Sequence, residues 1–297
     1  MTAEGLAIEA DGVSFSYPEG TQALRDVDFF LKKGEFIALL ASNGSGKTTL
    51  IKVLGGLAKS QRGVVRIFGR KLGDIPRPEL YQQLGIVFQN PNDQLFAATV
   101  EDDVAFGPRN LGLDPSTVER RVSEALEAVN AGHLRSRAIH HLSFGEQKRV
   151  AIAGVLAMHP SVLILDEPTA GLDPAGEELM MRLLQALNRK KGLSIVFATH
   201  SIDLLPLFAD TVYVLNQGAV LCQGPARDVL CNHEMLKMAG LRLPYISSLL
   251  MEMKSLDGVP IEGLPLTIKE ARERLLDLIP PDILYKKSEK GAFLPPS

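Results

Sequence analysis

Leu39-Leu40-Ala41-Ser42-Asn43-Gly44-Ser45-Gly46-Lys47-Thr48-Thr49 is the stretch whose reading decides the fold. The apolar run from Phe36 to Leu40 predicts a buried strand. Leu50, Ile51, Val53 and Leu54 predict a helix that opens at Thr48 and stops at Gly55-Gly56. A strand, a glycine-rich loop and a helix start form the context in which a loop cradles phosphate. The glycines let backbone N–H groups close on phosphate oxygens, and the helix start adds unpaired N–H groups and the positive end of its dipole. The candidate nucleotide-binding residues are therefore Asn43, Gly44, Ser45, Gly46, Lys47, Thr48 and Thr49. In such a loop Lys47 reaches the β- and γ-phosphates and the Thr48 hydroxyl ligates Mg²⁺. The loop pattern begins with glycine; Ala41 stands there, which requires φ below zero.

Outward from this loop, β and α signals alternate, which argues for an α/β domain with a parallel sheet. Upstream, Leu6 to Tyr17 alternates with Val13, Phe15 and Tyr17 on one side, and Ala23 to Leu31 reads as another strand. Gly63 to Phe68 and Gly85 to Phe88 predict further strands. From Asn90 to about His159 the pattern is helical. Thr99-Val100-Glu101-Asp102 opens one helix; Asp114-Pro115 opens a second, running to about Asn130 with Gly132 as its stop. Ser143 followed by Glu146 is a capping box for a third, which continues to Pro160. Val162 to Leu165 and Ser194 to Ala198 are unalternating apolar runs, as for parallel strands covered on both faces, with a helix between them from Glu177 to Asn188. Asp210 to Leu215, a turn at Asn216-Gln217-Gly218, and Ala219 to Gln223 predict a closing hairpin. Asn232 to Ser255 reads as helix with four methionines, Met235, Met238, Met251 and Met253. Thr267 to Glu270 is a further capping box whose helix reaches Leu278, and the polar tail from Lys286 is expected to fray.

Composition narrows the class. The chain has 297 residues, 45% hydrophobic and 23% charged, enough for a large core. A formal net charge of −3 gives no nucleic-acid signal. Two cysteines, Cys222 and Cys231, imply no disulfide framework. No apolar run approaches the roughly 20 residues of a membrane-spanning helix. Glu4, Glu9 and Asp11 stand where a signal peptide would be apolar, so a cytoplasmic chain is expected. His133, His140, His141 and His159 form no closed ligand set with the cysteines, and no cobalt or nickel site is expected.

Further residues carry chemistry. Asp166 and Glu167 end an apolar strand, where α/β folds place ligands. Asp166 is suited to holding Mg²⁺, and Glu167 to orienting or deprotonating an attacking water. His200 follows the next apolar strand and could reach the γ-phosphate from the same rim. Gln89, at the end of another strand, is suited to touching Mg²⁺ or that water. Ser143 to Gln147 forms a second anion-binding helix start, remote from the first loop. Two phosphate sites in one chain suggest that two chains pair head to tail.

In order, the phosphate loop, Gln89, Leu142-Ser143-Phe144-Gly145-Glu146, Leu165-Asp166-Glu167, Ala170-Gly171-Leu172-Asp173 and His200 resemble the ATP-binding-cassette (ABC) ATPases across about residues 5–230. The resemblance implies a P-loop NTPase of ABC type: a RecA-like mixed-sheet core, an antiparallel β subdomain, and a helical subdomain at about 90–159. The nucleotide-binding domain would cover 1–235, and 236–297 would be an appendage that supports dimerisation. Two chains would sandwich ATP between one chain's loop and the other's Ser143, Gly145 and Glu146, with Asp173 at the seam and Tyr17 stacked on adenine. The family pattern at the signature is Leu-Ser-Gly-Gly-Gln; Phe144 and Glu146 depart from it.

Gln89 to Phe96, Thr99 to Pro108 and Lys148 to Gly154 resemble the ATPase subunits of energy-coupling-factor importers, which take up vitamins or cobalt and nickel ions. Leu241 to Pro244 and Leu266 to Ala271 look most like the cobalt/nickel branch. The resemblance implies a second ATPase chain, identical or related, and a membrane coupling protein docked near Gln89 to Phe106. It also implies a membrane substrate-binding subunit and a place on the cytoplasmic face of the cell membrane. Alternatives are the same role in a vitamin importer, or a soluble ABC ATPase acting on nucleic acid or ribosomes. A P-loop kinase is a third, which leaves the Ser143 segment and His200 unexplained.

Overall fold

The computed structural model describes residues 5–280. Two sheets carry the fold. The strands are β1 (Leu6–Ser16), β2 (Gln22–Lys32), β3 (Phe36–Ala41), β4 (Arg62–Ile67), β5 (Arg70–Lys71), β6 (Leu84–Val87), β7 (Val162–Asp166), β8 (Ser194–Thr199), β9 (Thr211–Asn216) and β10 (Ala219–Pro225). β2-β1-β4-β5 form a four-stranded antiparallel sheet. The second sheet is six-stranded, ordered β10-β9-β3-β8-β7-β6. Its strands run parallel except for β10, which closes one edge as an antiparallel hairpin with β9. This is the mixed α/β sheet core with its antiparallel companion that the P-loop resemblance implies.

The parallel strands do not alternate in sequence because both of their faces are buried. Along β3, Phe36, Ala38 and Leu40 enter one core, while Ile37, Leu39 and Ala41 enter the other. The first core packs the sheet against helices α3 (Val100–Asn110), α4 (Pro115–Ala128), α5 (Phe144–Leu156) and α6 (Pro174–Lys191). The second packs it against α1 (Lys47–Leu54) and the antiparallel sheet. Tyr213 of β9 pins the two sheets together: its hydroxyl accepts from Phe30 N and donates to Phe30 O, both at 3.2 Å, and its ring lies 4.6 Å from that of Phe29. Burial pushes the Tyr213 phenol up to about 12.

Helix ends follow their caps. Thr99 Oγ1 accepts from Asp102 N at 3.2 Å, and Asp114 Oδ1 from Thr117 N at 3.0 Å. The Ser143 capping box closes in both directions: Ser143 N donates to Glu146 Oε2 at 2.7 Å and Glu146 N to Ser143 Oγ at 3.3 Å.

Some boundaries differ from the sequence reading. β1 ends at Ser16, so Tyr17 lies just past it, and β6 ends at Val87, two residues before Gln89. α4 stops at Ala128, with Asn130 at φ 53, and Gly132 opens a short 3₁₀ turn. α5 stops at Leu156, and His159 takes φ 58 before Pro160. α6 starts earlier than Glu177 because Asp173 caps it, accepting from Gly176 N at 2.7 Å.

The remaining helices are α2 (Arg77–Gln83), α7 (Leu205–Phe208), α8 (Ala226–Leu230), α9 (His233–Met238), α10 (Tyr245–Ser255) and α11 (Ile268–Asp277). The expected helix from Asn232 to Ser255 is thus two, broken where Gly240 takes φ 68 and Pro244 precedes Tyr245. Its methionines divide accordingly: Met251 packs on the main core, Met253 on a small cluster around Leu250, Ile261 and Ala271, and Met238 is exposed. The Thr267 box closes one way only. Thr267 Oγ1 accepts from Glu270 N, but Glu270 turns its carboxylate to Leu266 N and Arg227. The expectation of a frayed tail from Lys286 lies outside the described residues.

Candidate functional site

Parallel strands deliver their carboxyl ends to one rim, and the candidate residues collect there. The loop after β3 carries Ser42 to Gly46, β7 ends on Asp166, Gln89 follows β6, and His200 follows β8. A cleft of about 500 Å³ opens at this rim, with Tyr17, Asn43, Lys47, Thr48, Gln89 and Glu167 in its lining; Asp166 and His200 lie outside that lining, Asp166 bonded to Thr48 and His200 to Glu167.

The loop is built around two left-handed glycines, Gly44 at φ 78 and Gly46 at φ 95. Gly46 caps α1 with no side-chain bond, which leaves the first N–H groups of that helix facing the cleft. Ser42 Oγ and Ser45 Oγ are 2.8 Å apart, and Gly218 N donates to Ser45 O at 3.0 Å. The hairpin turn at Gln217-Gly218 thereby braces the loop from outside. Ala41 is the last residue of β3, fully buried and with φ below zero, as its side chain requires.

The polar side chains form three bonded groups anchored on the consecutive residues Lys47, Thr48 and Thr49. Lys47 Nζ pairs with Glu167 Oε1. Thr48 Oγ1 donates to Asp166 Oδ2 at 2.7 Å, and Thr49 Oγ1 lies 2.9 Å from Tyr17 Oη. His200 Nδ1 sits 2.8 Å from Glu167 Oε2. The two carboxylates have opposite surroundings. Burial raises Asp166, and Thr48 and Lys47 offset this only in part, so it sits above the usual carboxylate range. Burial also raises Glu167, but the hydrogen bonds from Lys47 and His200 outweigh it and hold Glu167 below that range. Asp166 Oδ1 is buried with no hydrogen-bond partner among the described residues. That oxygen and the Thr48 hydroxyl, which is bonded to the other oxygen of the same carboxylate, are hard donors of the kind a small divalent cation takes.

Ser143, Gly145, Glu146 and Asp173 lie outside this lining. They form a second group, at the starts of α5 and α6. The Phe144 ring lies against Gly171, where a Cβ would come within 2.9 Å of Cε1, and a Cβ on Gly145 would stand 3.4 Å from Leu172 Cδ2. Phe144 takes an ordinary helical backbone as the first residue of α5. Glu146 closes the capping box and pairs with Arg137 at 3.4 Å, a task for which its carboxylate is suited. Arg137 and Ser143 hold Glu146 below the usual range, the Ser143 bonds contributing most.

The family model of ABC transporters matches residues 24–170. A putative ABC transporter ATP-binding protein of Geobacter sulfurreducens is 48% identical over 274 residues, 92% of this chain and 98% of that protein. The chain belongs to the ABC transporter ATP-binding proteins, and it is an ATPase of that family. This ABC cassette is also 45% identical to the energy-coupling factor transporter ATP-binding protein EcfA of Methanocaldococcus jannaschii, over 92% of this chain and 98% of that one. Among solved structures, cbiO1 of Clostridium perfringens, part of the ABC transporter complex cbiONQ, is 41% identical. Its TM-score is 0.72, and the match covers 84% of the cassette and 100% of that chain. A cassette solved as a dimer in a post-hydrolysis state with ADP and Pi is 29% identical with a TM-score of 0.67, covering 74% and 98%.

Several residues of the cassette's site escaped the sequence reading. Gln217 and Gly218 are legible as a hairpin turn, but nothing local shows that the turn meets a loop about 170 residues away in sequence. Gln94 was read as part of a subfamily stretch. Its side chain accepts from Phe88 N at 3.1 Å and donates to Ala151 O at 3.0 Å, which ties the segment after β6 to α5. Buried Asp103 accepts from Phe96 N at 2.9 Å and Ala97 N at 3.0 Å, and so shapes the same segment. Lys148 is buried, with Nζ 2.9 Å from Glu167 O; burial pushes it down to about 8 against the pull of Glu167 and Asp166. A lysine in a helix start gives no sequence sign of such a contact.

Proposed function

We propose that this cassette is the ATPase subunit of an energy-coupling-factor importer at the cytoplasmic face of the cell membrane, with cobalt or nickel ions as the cargo. The family membership supports the ATPase role, and the relatives named above support the importer type. The observation that carries the membrane role is an apolar groove of about 340 Å³ beside the Gln89 segment. Phe96 and Phe106 form its lip, 64% and 48% exposed, with ring centroids 4.6 Å apart. Single exposed phenylalanines need no explanation; a paired lip over an apolar groove suits a helix of a membrane partner. Gln94 and Asp103 connect this groove to β6 and α5, so a helix seated there pulls on the segment that carries Gln89. Among the described residues no helix is long and apolar enough to cross a membrane, so the spanning parts belong to other subunits, one coupling protein and one that holds the cargo.

In this reading residues 1–235 form the nucleotide-binding domain, α3 to α5 its helical subdomain, and the stretch from 236 an appendage that supports pairing of two chains. Thr48, Asp166 and Gln89 would hold Mg²⁺, which neutralises phosphate charge when bound. Tyr17 offers its ring to adenine, held in place by the Thr49 hydroxyl. The N–H groups from Asn43 to Thr49 receive the phosphates. A γ-phosphate competes with Glu167 for Lys47, and its arrival frees the carboxylate while His200 keeps it oriented. Glu167 then takes a proton from water, whose oxygen attacks the γ-phosphorus as the β–γ bridging P–O bond breaks. ADP and phosphate result. His200 is placed to touch the γ-phosphate. Ser143, Gly145 and Glu146, outside the cleft of their own chain, complete the site of a second chain, and Asp173 lies at the seam.

The test is co-expression with candidate membrane subunits and assay of ATP-dependent uptake in proteoliposomes. Cobalt or nickel uptake supports the cargo; vitamin uptake instead retains the importer and replaces the cargo. Failure of any membrane subunit to co-purify, with RNA or ribosomes retained in its place, would refute the importer role.

A further inference from the structure

The reaction as proposed leaves one buried cation unused. Lys148 is 2% exposed and stands on α5, five residues after Ser143. A buried ammonium persists only where its protons are well placed. Here Nζ donates to the backbone carbonyl of Glu167 at 2.9 Å, an oxygen that also accepts from Ala170 N at 3.1 Å. Glu167 N in turn donates to Ala198 O at 2.9 Å. Both peptide groups of this residue are therefore fixed. They need to be, because Glu167 has φ 46, a backbone state that a non-glycine residue keeps only where its surroundings impose it. On its other side Nζ lies 5.2 Å from the centroid of the Phe144 ring, within cation–π reach, and Phe144 is the first residue of α5.

We propose that Lys148 is a positioning residue for Glu167: it holds the Glu167 carbonyl while resting on the Phe144 ring, and so ties the aim of the carboxylate to the start of α5 in the same chain. The proposal rests on the reading of Glu167 as the group that activates water. It gives Phe144 a task that glycine, the family residue at that place, cannot perform: the ring covers the ammonium and links it to the helix start. A displacement of the α5 start by another chain's nucleotide is then felt at this chain's own carboxylate, within one hydrogen bond and one cation–π contact.

The test compares K148M, K148R, E167Q and the K148M/E167Q pair in steady-state ATP hydrolysis, with nucleotide affinity and thermal melting measured on each. Glu167 O keeps its bond from Ala170 in K148M, so the fold is expected to persist. The expected result is a fall in kcat of at least tenfold for K148M, with KM and the Kd for ATP within twofold of the parent. K148R, which can still donate, recovers most of the lost kcat. On the E167Q background, K148M lowers the residual rate less than twofold, since there is no carboxylate left to aim. A wild-type kcat in K148M, or an equal fold-loss with and without Glu167, overturns the proposal alone. A wild-type rate in E167Q overturns the reading of Glu167 and the proposal with it. Should K148M not fold, the same comparison is read on K148Q and F144L, and an unchanged kcat in both overturns it.

Discussion

Replacing Gly46 by alanine should do far more damage than the same change at Gly44, although both stand at positive φ in one loop. At Gly44, φ is 78 and a built Cβ meets nothing within 4 Å. The cost there is that of a left-handed non-glycine residue, about 1–2 kcal/mol. At Gly46, φ is 95 and the Cβ would stand 2.5 Å from Ala23 O and 3.3 Å from Leu24 Cδ2. Ala23 O belongs to backbone in β2 and cannot rotate away. Gly218 leaves little room for retreat, its Cα standing 3.5 Å from the Cβ built on Gly46. Overpacking of this kind adds about 1–3 kcal/mol to the left-handed cost, for a total of about 2–5 kcal/mol. Gly46 also precedes Lys47, so any shift moves the N–H groups of α1 and the Lys47 ammonium together. Urea unfolding of G44A and G46A with Mg-ATP titration of each separates the two positions. G44A should lose about 1–2 kcal/mol, and G46A at least 1 kcal/mol more together with nearly all nucleotide binding. Equal stabilities within about 0.5 kcal/mol would refute the packing argument, because the φ cost alone would then suffice.

Other outcomes follow from single contacts. D166N should melt higher than the parent by the equivalent of about 1 kcal/mol, since it removes a buried charge whose Oδ1 is unpartnered, while Mg-dependent turnover is lost; scanning calorimetry and phosphate release check both. E167Q should bind ATP and remain paired while losing most turnover, read by size exclusion and phosphate release. S143A should cost about 1 kcal/mol through the capping bond from Glu146 N, measurable by denaturation of the isolated chain. Tyr213 supplies a pH dependence: its folded pKa, about 12, lies above the unfolded value near 10, so the unfolded chain loses its proton first and stability falls as pH rises between the two. The Y213F chain should lack that fall, which is worth about 1.3 kcal/mol between pH 9 and 11, in paired denaturations at those two values.

The parallel sheet was legible because burial on both faces writes an unbroken apolar run, as in Val162 to Leu165. The loop was legible because phosphate binding demands glycines and lysine at fixed spacing. Caps at Thr99, Asp114, Ser143 and Thr267 were legible because the donor they satisfy lies three residues away. Contacts across the sheets were not. The bracing of the loop by Gly218, the Tyr213 link to Phe30 and the Lys148 bond to Glu167 join residues whose local sequence is ordinary. α2 was missed for a different reason: only Leu80 in it is buried, so it has no apolar period to read. The single helix expected from Asn232 to Ser255 is two because Gly240 and Pro244 carry a break inside it.

Asp166 and Glu167 are adjacent carboxylates at one strand end, and the sequence assigns them different tasks without showing what sets them apart. Their neighbours supply it. Asp166 ends β7 in a strand conformation, with one oxygen on the Thr48 hydroxyl and the other without a partner, and burial keeps its proton affinity high. A group in that state gains most from a cation, whose arrival replaces the missing partner. Glu167 is turned out of the strand by its positive φ, so its carboxylate leaves the sheet and meets Lys47 on one oxygen and His200 on the other. Burial raises its proton affinity, but the hydrogen bonds from Lys47 and His200 outweigh that and hold Glu167 below the usual carboxylate range, which favours the ionised form needed to accept a proton. The same turn that separates the two roles is the one Lys148 holds by its carbonyl. The left-handed backbone at Glu167 is thus what gives two neighbouring carboxylates opposite surroundings. A glycine at 167 would keep the turn but discard the carboxylate, whereas glutamine keeps both the turn and its anchors and removes only the charge. That is why E167Q is the variant that isolates the chemistry from the fold.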